Sequence, residues 1–126
     1  MTQEDIKLLL KELCARLPHG VKVNWNDNIY YFTGIYSFNV CVLSVDNEDN
    51  AWIDYIKPYT TVGINYIKPY LFPMSSMTDE QKTEWDYIDY YADHHEAVDW
   101  LNKNHFDYRG LIDMGLAFDA TDKNIY

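Results

Sequence analysis

The chain has 126 residues, with ten Lys and Arg against twenty Asp and Glu, for a formal charge of −10. Hydrophobic residues make up 48% and aromatic residues 17%, enough to bury a core within one domain spanning 1–126 and too much for a disordered chain. The acidic balance excludes a protein that tracks nucleic-acid phosphates or lies on a membrane through basic residues, so neither direct nucleic-acid binding nor membrane attachment is expected.

Residues 2–17 predict an amphipathic helix. Thr2 is placed to cap it, with Asp5 three positions on. Ile6, Leu9, Leu10, Leu13 and Leu17 recur at three- and four-residue steps and share a face, while Lys7, Lys11, Glu12 and Arg16 take the other side. Pro18 and Gly20 end the helix. From residue 21 the period changes to two. Strands are predicted at 21–25, 29–36, 39–45, 51–57 and 61–67, with a turn at Asn26-Asp27-Asn28, a bulge at Gly34 and a polar turn at 46–50. Five short strands in so few residues predict a tightly curled antiparallel sheet, an SH3-like barrel if closed and an open meander otherwise.

The last two strands carry a repeat. Tyr55-Ile-Lys-Pro-Tyr59 recurs as Tyr66-Ile-Lys-Pro-Tyr70, and Pro58 and Pro69, lacking an amide proton, are expected to end ladder pairing. Residues 71–77 read as a linker. A helix from 78 to 91 follows, capped by Ser76 or Thr78, with Trp85, Ile88 and Ala92 on one face. Asp93 and Glu96 have the spacing to open a second helix at 94–103, with Val98 and Leu101 as its apolar stripe. Asp107 is placed to cap a third, at 108–114, that Gly115 would end. The tail 119–126 reads as frayed. The fold class is therefore α+β: an N-terminal helix, a small curled antiparallel sheet over 21–67 and a helical segment over 78–118. Leu9, Leu13, Leu17, Cys41, Leu43, Trp85, Ile88 and Leu101 are the expected core.

The N-terminus has neither the basic stretch nor the apolar run of a secretory signal. No apolar run approaches the roughly 18 residues of a membrane span. Cys14 and Cys41 lack any Cys-x-x-Cys spacing, so two buried free thiols in a reducing cytoplasm are expected, with a Cys14–Cys41 disulfide as the alternative.

No catalytic motif stands out. Gly-x-Ser-x-Gly, P-loop and Gly-x-Gly-x-x-Gly patterns do not occur among the five glycines. Both cysteines lie in apolar patterns that would raise a thiol pKa. Acid pairs such as Asp86 with Asp89, or Asp46, Glu48 and Asp49, are inevitable among twenty acids. The best metal set is His95, Asp99 and His105, within a polar run that includes Asp93, His94 and Asp107. However, His95-Glu-Ala-Val-Asp99 has Asp where a metalloprotease helix needs its second His. Adjacent His94 and His95 also diverge by about 100° on a helix. The segment thus reads as a polar helix start, with no metal and no cofactor expected.

Surface features are more informative. Asp79, Lys82, Asp86, Asp89 and Asp93 form a mostly acidic stripe, either a solvated face or a phosphate-like decoy for a basic cleft. Tyr59, Tyr70 and Tyr90 are candidate docking aromatics. Arg109 beside Tyr108 could clamp an anion or tie its segment to Asp99 or Asp113.

Several runs also carry a resemblance: Ile6 to Leu17, Ile67-Lys-Pro-Tyr-Leu-Phe-Pro-Met-Ser-Ser-Met-Thr78, Asp99-Trp-Leu-Asn102, His105-Phe-Asp-Tyr-Arg-Gly-Leu-Ile112 and Gly115-Leu-Ala117. Together they resemble small uncharacterised proteins of gut Bacteroides-type bacteria and their mobile elements. The resemblance implies a cytoplasmic accessory protein, phage- or island-associated, and brings no reaction with it. The function expected from the whole is a non-enzymatic module that binds a protein partner. The alternatives are a nucleic-acid-mimicking inhibitor and a small-ligand binder with a Tyr- and Trp-lined pocket.

Overall fold

The computed structural model describes residues 1–37, 39–45 and 59–126. The expected turn at 46–50 and strand at 51–57, with most of the first repeat copy, lie outside the described residues. The chain is α+β and packs as two compact units, 1–70 and 71–126.

The first unit opens with α1, Gln3–Arg16. Its start is fixed by a reciprocal cap: the Asp5 amide donates to Thr2 Oγ1 and the Thr2 amide to Asp5 Oδ2, both at 3.1 Å. Leu17–His19 tightens into a 3₁₀ turn at Pro18, and Gly20, at φ 71°, supplies the left-handed stop. Leu9 and Leu13 are fully buried. The polar side of the helix differs from expectation. Glu12 and Arg16 are buried rather than solvated, joined by Arg16 Nε to Glu12 Oε2 at 2.8 Å. The i, i+4 spacing lets the two charges enter the interior as a pair. Leu17, drawn into the 3₁₀ turn, stays 38% exposed.

Four antiparallel strands follow: β1 (Lys22–Trp25), β2 (Asn28–Ser37), β3 (Val40–Val45) and β4 (Tyr59–Gly63). Asn26 and Asp27, at φ 52° and 63°, make the two-residue hairpin between Trp25 and Asn28. The β2–β3 register slips between Phe32 and Gly34, at the expected bulge. Val23, Phe32, Cys41, Leu43 and Val62 supply the buried face. After β4, Ile64–Tyr66 forms a 3₁₀ turn, and β5 (Lys68–Pro73) begins by pairing antiparallel with β1. The expected strand 61–67 thus becomes the end of β4 plus a turn. Pro69 ends the ladder with β1, as expected: it sits opposite Val23 and is the last residue paired with that strand, although β5 itself runs on to Pro73. The order β4-β3-β2-β1-β5 leaves the sheet open.

In the second unit, residues 71–77 are not a linker. Leu71–Pro73 completes β5, and Met74–Ser76 is a 3₁₀ turn. Two helices follow, α2 (Asp79–Tyr91) and α3 (His94–Lys103). Then β6 (Phe106–Asp107) pairs parallel with β5 at Phe72 and Pro73, and β7 (Phe118–Asp119) also lies against β5. The third helix expected at 108–114 does not form. Asp107 accepts from the amides of Leu111 and Ile112, both at 2.9 Å, and closes a series of turns instead. The tail is tied down rather than frayed. The Ala120 amide donates to the Leu71 carbonyl, and Ala120 and Ile125 are buried. Hydrogen bonds from the Thr121 hydroxyl and amide hold the Asp119 carboxyl below its ordinary pKa. Among the described residues, no helix is long and apolar enough to cross a membrane.

Candidate functional site

The unusual element is α2. Its sequence carries good local signals. The Thr78 hydroxyl accepts from the Gln81 amide at 3.1 Å, and the Thr78 amide donates in return to Gln81 Oε1 at 2.9 Å. Asp79 and Glu80 occupy the first turn, where the helix dipole favours them. A helix of a folded protein ordinarily buries an apolar stripe. None of the thirteen residues of α2 is buried, and Trp85 and Ile88, expected in the core, are only half-buried.

What holds α2 is a run of stacked rings. Trp85 stacks on Trp100 of α3 at 5.6 Å, and Trp100 stacks on Phe106 at 5.8 Å. The Trp100 indole N–H donates to Glu84 Oε1 at 2.9 Å. Phe106 meets Phe72, which meets Tyr126, and Tyr126 lies flat on His105 at 3.6 Å.

On the opposite side three tyrosines stand in solvent, Tyr87 66% exposed, Tyr90 80% and Tyr91 69%. They touch one another: Tyr87 and Tyr91 at 4.8 Å, and Tyr90 edge-on to Tyr91 at 4.7 Å. Residues 79–93 hold six acids and one base, and 71–126 hold twelve acids and four bases. The structure therefore brings Asp86, Asp89 and Tyr90 together on one exposed helix. Tyr87 and Tyr91 were missed, although their i, i+4 spacing beside Tyr90 marks a single patch.

The other candidates scatter. Tyr59 is exposed, but it belongs to the first unit. Tyr70 is not a surface aromatic: it is only 7% exposed and its hydroxyl accepts from Asn24 Nδ2 at 2.9 Å. Its strand turns the ring inward, whereas Tyr66 of the same repeat copy stays exposed in the 3₁₀ turn. Arg109 is half-buried with its guanidinium 5.3 Å above the Tyr108 ring. His95 and Asp99 are exposed on α3, His105 is stacked on Tyr126, and the Asp107 carboxylate is engaged by two amides. Among the described residues no group of three or more His, Cys, Asp and Glu is gathered as metal ligands.

The thiols are both free but unalike. Cys41 is buried, as expected, whereas Cys14 is exposed. Burial, reinforced by the neighbouring Cys14, pushes the Cys41 thiol up to about 11.

Two openings lie in the second unit. A cleft of about 270 Å³ is lined by Phe72, Phe106, Ser76, Thr78, Gln81 and Thr121 among others. Its polar side chains are largely engaged already, Thr78 and Gln81 in the helix cap and Ser76 to the Pro73 carbonyl. A wider groove of about 450 Å³ runs beside the start of α2. Compared with known proteins, the chain matches no family profile, no curated protein and no solved structure.

Proposed function

We propose that this chain is a non-enzymatic interaction module that docks a basic protein partner through the exposed face of α2. The observation that carries the reading is a helix with no buried residue that displays three touching tyrosines among acids. Tyrosine is a frequent anchor at interfaces, and rings already packed on one another lose little freedom on binding. Six acids against one base over 79–93 attract and orient a cationic surface.

The first unit serves as scaffold. Its strand order and the 3₁₀ turn between β4 and β5 support reading it as a partly open SH3-like roll. Two free thiols and the resemblance to mobile-element proteins support a cytoplasmic accessory role. The exposed stripe of Asp79, Asp86, Asp89 and Asp93 favours, as a second reading, a partner whose basic cleft otherwise holds nucleic acid.

The test is an NMR titration of the full chain with a peptide of alternating arginine and serine. Amide shifts should centre on 79–93, shrink as salt is raised, and vanish in the Asp86→Lys/Asp89→Lys variant. Shifts centred on the first-unit sheet, or none, would overturn the reading.

A further inference from the structure

Along the start of α2, Met74, Met77, Asp79, Lys82, Trp85 and Asp86 are among the residues that line the groove of about 450 Å³. Its apolar part is adaptable. Met74 and Met77 are half-buried thioethers at the two ends of the turn that precedes α2, and unbranched methionine reshapes around an alkyl chain. Trp85 is oriented by its stack on Trp100, is partly exposed, and lines the groove. Asp79 and Asp86 are exposed and lie seven residues apart, two helical turns on one face, about 10 Å along the axis. Lys82 stands between them, and among the described residues it makes no ion pair with either. The groove thus combines an aromatic face, a flexible apolar wall and a net negative rim.

We propose that this groove is a subsite for one arginine side chain of the docked partner, an assignment that rests on α2 being the docking face. The methylene stem lies along Met74 and Met77, as long cationic side chains cover apolar surface while their heads stay solvated. The guanidinium lies against Trp85, where a flat, weakly hydrated cation meets the ring electrons. Asp79 or Asp86 accepts its N–H groups. Trp85, not the charges, gives the site selectivity, because Lys82 lowers the affinity of every cation equally. Arginine keeps a stacking contribution that a compact ammonium largely lacks.

The test follows the Trp85 indole N–H and the Met74 and Met77 methyl signals of the full chain while three peptides are added. These alternate serine with arginine, with lysine, or with citrulline, the uncharged shape-mimic of arginine. The arginine peptide should move all three signals and bind about two- to fivefold more tightly than the lysine peptide, and the citrulline peptide should not bind. Trp85→Leu should remove the arginine preference, and Met77→Ser should weaken binding of the arginine peptide, each while the Tyr90 signals still shift. If the α2 tyrosine signals move and those of Trp85, Met74 and Met77 do not, the subsite is wrong and the docking face stands. Equal affinity for arginine and lysine peptides, unaltered by Met77→Ser, also overturns the subsite. If the arginine peptide moves no signal at all, both readings fall.

Discussion

Burial divides the two thiols of the chain, and the division has measurable consequences. Iodoacetamide applied to the native protein near neutral pH should label Cys14 and spare Cys41, as read by peptide mass spectrometry; equal labelling would show that β3 does not bury its thiol. Because the folded-state pKa of Cys41 is raised from 9.0 to about 11, the unfolded chain loses its proton first. The thiol's contribution to stability is present below pH 9 and is lost as pH rises toward 11, on the order of 2–3 kcal/mol. The urea midpoint of the natural protein should therefore fall more steeply over that window than that of Cys41→Val, and parallel curves would contradict the assignment. Glu12 and Arg16 form the second residue-scale test. Removing one member of a buried ion pair leaves the other charge uncompensated, so Glu12→Ala should cost about 3–5 kcal/mol, against about 0.5 kcal/mol or less for exposed Lys11→Ala. Similar losses in urea unfolding for both would show that the pair is not buried. The inward turn of Glu12 and Arg16 could not be read from their charges, because charged residues at helical spacing ordinarily mark a solvated face.

Elements whose signals are local were legible, and those that depend on distant partners were not. Thr2 with Asp5, Asn26-Asp27 and Gly34 set a cap, a hairpin and a bulge through their own backbone chemistry, and each stands where the sequence placed it. Asp93 caps α3 by accepting from the Glu96 amide at 2.8 Å. The failures share a cause. Tyr70 turns inward because Asn24 receives it, and the tail orders because Leu71 offers a carbonyl. Neither of these partners is close in sequence. The candidate site was half legible: Asp86, Asp89 and Tyr90 were singled out, but α2 was read as a core helix because Trp85 and Ile88 have core-like spacing. Trp85 instead stacks on Trp100 at the margin. With no buried stripe, α2 depends more than most helices on its cap. Thr78→Ala should cost about 1 kcal/mol and raise amide exchange over 79–82 in particular. Unchanged exchange there would show that the ring stack alone holds the helix.

At the scale of the whole molecule, acidic residues are denser in the second unit than in the first, and exposed tyrosines occur in both. Residues 71–126 carry twelve of the twenty acids, and six fall within 79–93 beside three exposed tyrosines. Acids needed only for solubility would be expected to disperse over the surface rather than gather around touching rings. Docking of a basic protein on this face is the proposal on which the rest depends. It is tested most directly by photocross-linking in cells of the source organism, with a photoreactive phenylalanine in place of Tyr90 and, separately, of exposed Tyr36 in the first unit. One discrete adduct should form at Tyr90, to a protein with a basic surface, whose association with the natural chain slows with salt and with Asp86→Lys/Asp89→Lys more than its dissociation quickens. No adduct at Tyr90, or the same adduct at both positions, would contradict it.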